Sequence, residues 1–197
     1  MLNTTRLHVI IRPRGGDFLY TPLEVERMEE DIRMCRQLGV DGVVIGCLRA
    51  DGSIDIENNQ RLKDAAGDMS VTFHRAFDRC ANPMLALEQL CELGIDRILT
   101  SGQQPTAEQG IDLLRILNKA AAGRIKILAG CGVNENNISK IHEETGVNEF
   151  HFSARIPVKS HMQYANPNVY MGDKDADEST LMYTSAERVK ATISKLK

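Results

Sequence analysis

The sequence predicts an α/β fold in which a parallel sheet is assembled from repeated strand–helix units. Three observations carry this. Six short apolar runs alternate with helix-like segments between Leu7 and Ser153. Several runs are apolar at consecutive positions, as in Val9-Ile10-Ile11 and Val43-Val44-Ile45, the pattern of strands buried on both faces. The runs recur about every 28 residues, which is the length of one βα unit.

The first run is Leu7–Arg12, and Thr21-Pro22-Leu23-Glu24 after it forms a capping box with proline at the first helical position. That helix carries an apolar stripe at Met28, Ile32, Cys35 and Leu38, and Gly39 ends it. Val40–Gly46 and Met69–His74 are the second and third strands. Asn82-Pro83 starts the next helix and Gly94 stops it, before the fourth strand at Ile95–Ser101. Thr106-Ala107-Glu108-Gln109 is a Gln-type capping box that predicts a helix start. Arg124–Gly130 is the fifth strand, and Val147–Ser153, after Gly146, is the sixth. Residues 157–180 are polar and read as a long loop containing Asn166-Pro167-Asn168 and Gly172-Asp173-Lys174-Asp175. Thr184-Ser185-Ala186-Glu187 announces a C-terminal helix over 183–196, with a stripe at Tyr183, Ala186, Val189, Ile193 and Leu196.

No linker or composition shift divides the chain, so residues 1–197 read as one domain. Two architectures accept repeated βα units, a closed eight-stranded barrel and an open doubly wound sheet. A dinucleotide-binding doubly wound sheet carries Gly-x-Gly-x-x-Gly after its first strand, whereas Arg12-Pro13-Arg14-Gly15-Gly16 stands here. Regular spacing favours the (β/α)8 TIM-barrel type, here incomplete, with six βα units visible.

Composition narrows the partners. The 197 residues are 42% hydrophobic and 26% charged, with a formal net charge of −3. That is ordinary globular usage without the basic excess of a general nucleic-acid or membrane-surface binder. No apolar run has the length of a membrane span, and the first six residues lack the apolar stretch of a signal peptide. The five cysteines are an odd number without a close Cys-x-x-Cys pair, and read as reduced thiols of a cytoplasmic protein.

Ligands of such folds sit at the carboxyl ends of the strands. There the chain places Arg12, Arg14, Gly15 and Gly16, then Gly46 and Cys47, then His74 to Asp78, then Ser101, then Gly130, Cys131 and Gly132, then His151 to Arg155. Strand alternation puts Thr72 and His74 on the barrel-interior side, opposite Val71 and Phe73, and pairs His151 with Ser153. His74 and His151 have the chemistry of an acid and a base, and Asp78 that of a group orienting an imidazole. The other reading makes them hydrogen-bonded interior polar groups. His8, His142 and His161 read as structural.

Arg12 and Arg14 suit bidentate binding of a carboxylate or phosphate, or else an ion pair with Asp17 or another acid. Gly130 and Gly132 precede a helix start, where backbone N–H groups attract anions and barrels often hold phosphate. Cys47, Cys80 and Cys131 fall at or beyond strand ends, where soft sulfur ligands suit Cu(I). Cys35 and Cys91 lie on apolar helix faces and read as core.

At these strand ends the chain resembles the CutC family, labelled copper homeostasis proteins. The likeness is carried by Ile11-Arg12-Pro13-Arg14-Gly15-Gly16-Asp17, by Val71-Thr72-Phe73-His74-Arg75-Ala76-Phe77-Asp78 and by Arg97-Ile98-Leu99-Thr100-Ser101-Gly102. It implies a cytoplasmic barrel that handles copper, with site residues Arg12, Arg14, His74, Asp78, Ser101 and His151. Relatives carry two further N-terminal βα units, one ending in a Glu-Leu-Cys strand end, and often Gly or Ala where Cys131 stands. Two functions follow as expectations: binding of Cu(I) through cysteine sulfur, or an enzyme acting on a small anionic molecule. Six strands predict three quarters of a barrel, with Leu7–Arg12 and Val147–Ser153 as open edges. That predicts either a truncated chain or a homo-oligomer.

Overall fold

The computed structural model describes residues 5–172 and 177–196. Six parallel strands form one sheet: β1 (His8–Ile10), β2 (Gly42–Ile45), β3 (Ser70–Phe73), β4 (Arg97–Thr100), β5 (Lys126–Gly130) and β6 (Glu149–His151). Their spatial order is their sequence order, so each strand pairs with its neighbour in the chain. The sheet curls through 199° into a half-barrel. Six strands have five steps between them, which is why the curl falls short of three quarters of a barrel.

Helices α1 (Pro22–Gln37), α2 (Ile56–Ala66), α3 (Pro83–Glu92), α4 (Ile111–Ala121) and α5 (Ile138–Thr145) alternate with the strands. One strand parity packs under them: Val43, Ile45, Val71, Phe73, Ile98, Ile127 and Ala129 join Met28, Ile32, Leu62, Leu90, Leu114 and Ile141 in the core. The other parity forms the concave face, where Val44, Thr72 and Arg97 are in register, as are Leu99, Leu128 and Glu149. Thr72 thus faces the barrel side, as alternation predicts. Arg97 Nε donates to Glu149 Oε2 at 2.6 Å and Lys126 meets Glu149 at 3.0 Å, joining β4 to β6 across this face. Ile10, on the edge strand, is 60% exposed.

The capping box at Thr21 and Glu24 is present, and α1 buries Val25, Met28, Ile32 and Cys35. Leu38 departs from its stripe: it is the C-cap, past the last helical turn, and is 73% exposed. Thr106 closes only a single turn, taking the Gln109 N–H at 3.3 Å, and α4 begins later, at Ile111.

The polar stretch 157–180 is not wholly loop. Its ends belong to an antiparallel pair, β7 (Arg155–Lys159) and β8 (Thr180–Thr184). Residues 173–176 of the Gly172-Asp173-Lys174-Asp175 turn lie outside the described residues. Because β8 takes Tyr183 and Thr184, the last helix α6 (Ala186–Ser194) starts three residues after Tyr183. Ser185 Oγ, not Thr184, caps it by accepting the Arg188 N–H. Its expected apolar stripe does not form, for Thr192 is the buried residue of α6 and Ile193 lies exposed. Arg188 to Glu135, at 3.0 Å, ties α6 to the segment before α5.

Candidate functional site

The loop after β1 is built around two arginines with different employment. Arg14 is consumed by the loop itself. Its Nε donates to Glu24 Oε1 at 2.6 Å, one terminal nitrogen meets Asp17 at 2.9 Å, and the other donates to the Leu19 carbonyl at 2.7 Å. The ion-pair reading therefore describes Arg14, and the free-clamp reading does not. Arg12 donates to the Gly16 carbonyl at 2.9 Å and lies 4.7 Å over the Phe18 ring. Among the described residues Arg12 has no carboxylate partner.

His74 follows β3 and caps the short 3-10 turn Arg75–Arg79. Its Nδ1 accepts the Ala76 N–H at 3.1 Å. An imidazole whose Nδ1 lone pair is so engaged carries its proton on Nε2 when neutral. That Nε2 is buried and without a partner among the described residues, with the residue only 3% exposed. Burial, then the Arg12 charge, push its pKa down to about 4. His74 is therefore a neutral donor at physiological pH, which departs from the expectation of a group titrating near neutrality. The Phe18 ring covers it at 4.9 Å between centroids.

Asp78 does not orient that imidazole. Its Oδ1 accepts the Thr100 hydroxyl at 2.5 Å and the N–H groups of Ser101 and Gln103 at 3.0 and 3.1 Å. Its Oδ2 takes Arg75 Nε at 2.7 Å. Asp78 thus pins the loop after β4 to the turn after β3, because a carboxylate can answer several donors at once. Ser101 Oγ donates to the Gln104 carbonyl at 2.5 Å and receives Arg75 at 3.1 Å. Arg75, carried within the family-like run but not itself predicted as a site residue, is held by both.

A cleft of about 830 Å³ opens at these strand ends, with Arg12, Phe18, Arg49, Arg75, Asp78 and Arg79 in its wall. Arg49 and Arg79, like Arg12, have no carboxylate partner among the described residues, while Asp78 is answered by Arg75 and Asp17 by Arg14. The cleft is accordingly cationic. A second cleft, of about 590 Å³, lies at the opposite ends of the strands. Two of its acids are occupied in the fold, Asp41 taking the Leu7 N–H at 2.8 Å and Asp96 the Val71 N–H at 2.7 Å.

The later strand ends stand apart from the cationic cleft wall. Gly130 is enclosed, a Cβ there standing 2.5 Å from Leu99 Cδ1 and 3.3 Å from His151 Cβ. The Gly132 carbonyl accepts Asn137 Nδ2 at 3.0 Å. His151 ends β6, and desolvation of its ring, then the Arg75 charge, lower its pKa from 6.5. Ser153, two residues on, is exposed.

The three strand-end cysteines do not fit Cu(I) as one ligand set. Among the described residues no group of three or more His, Cys, Asp and Glu side chains is placed to hold a metal ion. Burial, then Asp55, push the Cys47 thiol up to about 12; burial, then Asp78, push Cys80 up to about 11. Both environments disfavour the thiolate that binds metal. Cys131 instead donates to the Pro105 carbonyl at 3.1 Å.

The model of the CutC family matches residues 2–156. A family protein CutC of Bacteroides thetaiotaomicron is 61% identical over 198 residues, covering 100% of this chain and 80% of its own. One from Porphyromonas gingivalis is 48% identical, covering 95% of this chain and 76% of its own. The crystal structure of CutC from Streptococcus agalactiae aligns with a TM-score of 0.71 at 37% identity, over 74% of this chain and 71% of that one. An aldolase, QR15, shares the fold with a TM-score of 0.58 at 17% identity, over 74% of this chain and 66% of that one.

Proposed function

The chain belongs to the CutC family, and from that premise we propose that its strand-end cleft is an enzyme site for a small anionic molecule. The observation that carries this is the set of three guanidinium groups, Arg12, Arg49 and Arg79, that line one cleft of about 830 Å³ and have no carboxylate partner among the described residues. A fold would gain by pairing such charges internally. Left open together, they present planar, bidentate donors to a carboxylate or phosphate. Arg75, fixed by Asp78 and Ser101, adds a positioned charge. His151 stands outside the cleft wall but feels the Arg75 charge; with its pKa lowered by desolvation and then by that charge, it is the strand-end imidazole we assign to accept a proton.

Copper handling is the second reading, and the name of the Streptococcus agalactiae relative, a copper homeostasis protein, favours it. The sulfur chemistry of this chain supports it less than the arginines support an anion. Five free cysteines agree with a reducing, cytoplasmic setting. No helix among the described residues is long and apolar enough to cross a membrane. Open edges at β1 and β6, with Ile10 exposed, favour self-association, which light scattering measures as a mass above one chain.

Calorimetry with inorganic phosphate and with propionate at low ionic strength tests the anion reading. Arg12→Ala should weaken both by about tenfold; binding indifferent to Arg12 and Arg79 together removes it. In parallel, Cu(I) competition against a chelator should be unchanged when Cys47, Cys80 and Cys131 are all serine. A loss of tight Cu(I) binding in that variant would restore the copper reading.

A further inference from the structure

Two buried side-chain polar atoms lack a hydrogen-bond partner among the described residues: His74 Nε2 and the Tyr20 hydroxyl. They come from different strand ends, yet the charge of Arg12 bears on both, and the Tyr20 hydroxyl also feels Cys47, which adjoins Gly46 under the His74 ring. Buried polar groups are nearly always satisfied, so two orphans beside one guanidinium call for an absent partner. Tyr20 is 8% exposed and His74 3%. Neither lines the cleft, whereas Phe18 does, and its ring packs on His74. Phe18 therefore stands between the open cleft and His74.

We propose that Tyr20 and His74 form an inner subsite of the Arg12 cleft that takes the carbonyl oxygen of a small oxo acid whose anionic end is held by Arg12. The proposal rests on the anion reading of that cleft and specifies its ligand. Both inner groups are donors in their neutral forms: the phenol through O–H, the imidazole through Nε2–H, because its Nδ1 is already an acceptor. Burial keeps the phenol protonated and the imidazole uncharged. Two neutral donors, each without an acceptor among the described residues, match an oxygen with two lone pairs, and a carbonyl so held is polarised. The ligand enters as Phe18 swings aside on the Gly15–Gly16 segment, where Gly15 has no heavy atom within 4 Å of a Cβ position and Gly16 holds φ +83°.

Pyruvate labelled with carbon-13 at its carbonyl, propionate and inorganic phosphate are the probes. The wild-type chain should bind pyruvate about tenfold tighter than propionate, with a downfield shift of the carbonyl resonance. Tyr20→Phe, which removes one oxygen and leaves the packing, should abolish that preference and the shift while propionate binding stays. His74→Gln should do the same, and Tyr20→Phe suffices if His74→Gln does not fold. Equal binding of pyruvate and propionate, both lost in Arg12→Ala, overturns the subsite and leaves the anion reading intact. Binding of phosphate alone does the same. Failure of all three probes to bind overturns both.

Discussion

The His74 imidazole occupies the space that a side chain on Gly46 would need, since a Cβ there would stand 2.5 Å from both Cε1 and Nδ1. Gly46 is thus a steric requirement of the site and not of its own backbone, which lies outside the positive-φ set. Gly46→Ala should cost about 1–3 kcal/mol, the range for forcing a methyl into a packed core. Urea unfolding measures it, with Gly15→Ala, in open space, as the near-neutral comparison.

Asp78 is worth more to the loop after β4 than to any proton transfer. Its side chain is 6% exposed and answers Thr100, Ser101, Gln103 and Arg75. Asp78→Ala should lose about 3 kcal/mol, because it strands buried donors that a charged acceptor had satisfied. The same change frees Arg75, so anion affinity should fall less than stability does. Calorimetry and denaturation on one variant separate the two.

Acid should destabilise the chain through His74. Its pKa is about 4 folded against an ordinary 6.5, so the unfolded chain takes up the proton first. The stability from keeping this imidazole neutral is complete above pH 6.5 and is lost as pH falls from there to about 4, a total of about 3 kcal/mol. His8 and His151, also lowered, add in the same sense. The slope of unfolding free energy against pH in this window should flatten in His74→Gln, whatever that variant's absolute stability.

Tyr20→Phe should raise stability by about 1 kcal/mol, since it deletes a buried hydroxyl that bonds nothing among the described residues. A thermal melt checks the sign. A gain in stability from removing a polar atom is the mark of a group retained for something other than folding.

Much of the sheet was legible because its strands are buried on both sides or at one wall. Val43-Val44-Ile45 announces β2 by composition alone, and Gly39, Gly94 and Gly146 all adopt the positive φ that ends a helix. The β7–β8 pair was not legible. Its strands lie 20 residues apart, face water and carry Pro157, so neither periodicity nor burial marks them. At the site, alternation placed Thr72 on the concave face, but it says nothing of hydrogen bonds. Whether Asp78 faces an imidazole or backbone N–H groups depends on a loop contributed 22 to 25 residues away. Arg12 and Arg14 look equivalent in sequence, and Glu24, ten residues beyond Arg14, is what separates them.

The strand order has a consequence for how the chain acquires its shape. Every pairing in the six-stranded sheet joins consecutive strands, and none links β1 to β6. A closed barrel must bring its first and last strands together, the contact most distant in sequence and slowest to form. This sheet can grow outward from any adjacent pair and has no such closing step. Its middle strands, paired on both sides, should hold their amide protons longest, and protection should decline toward β1 and β6 as the ends fray independently.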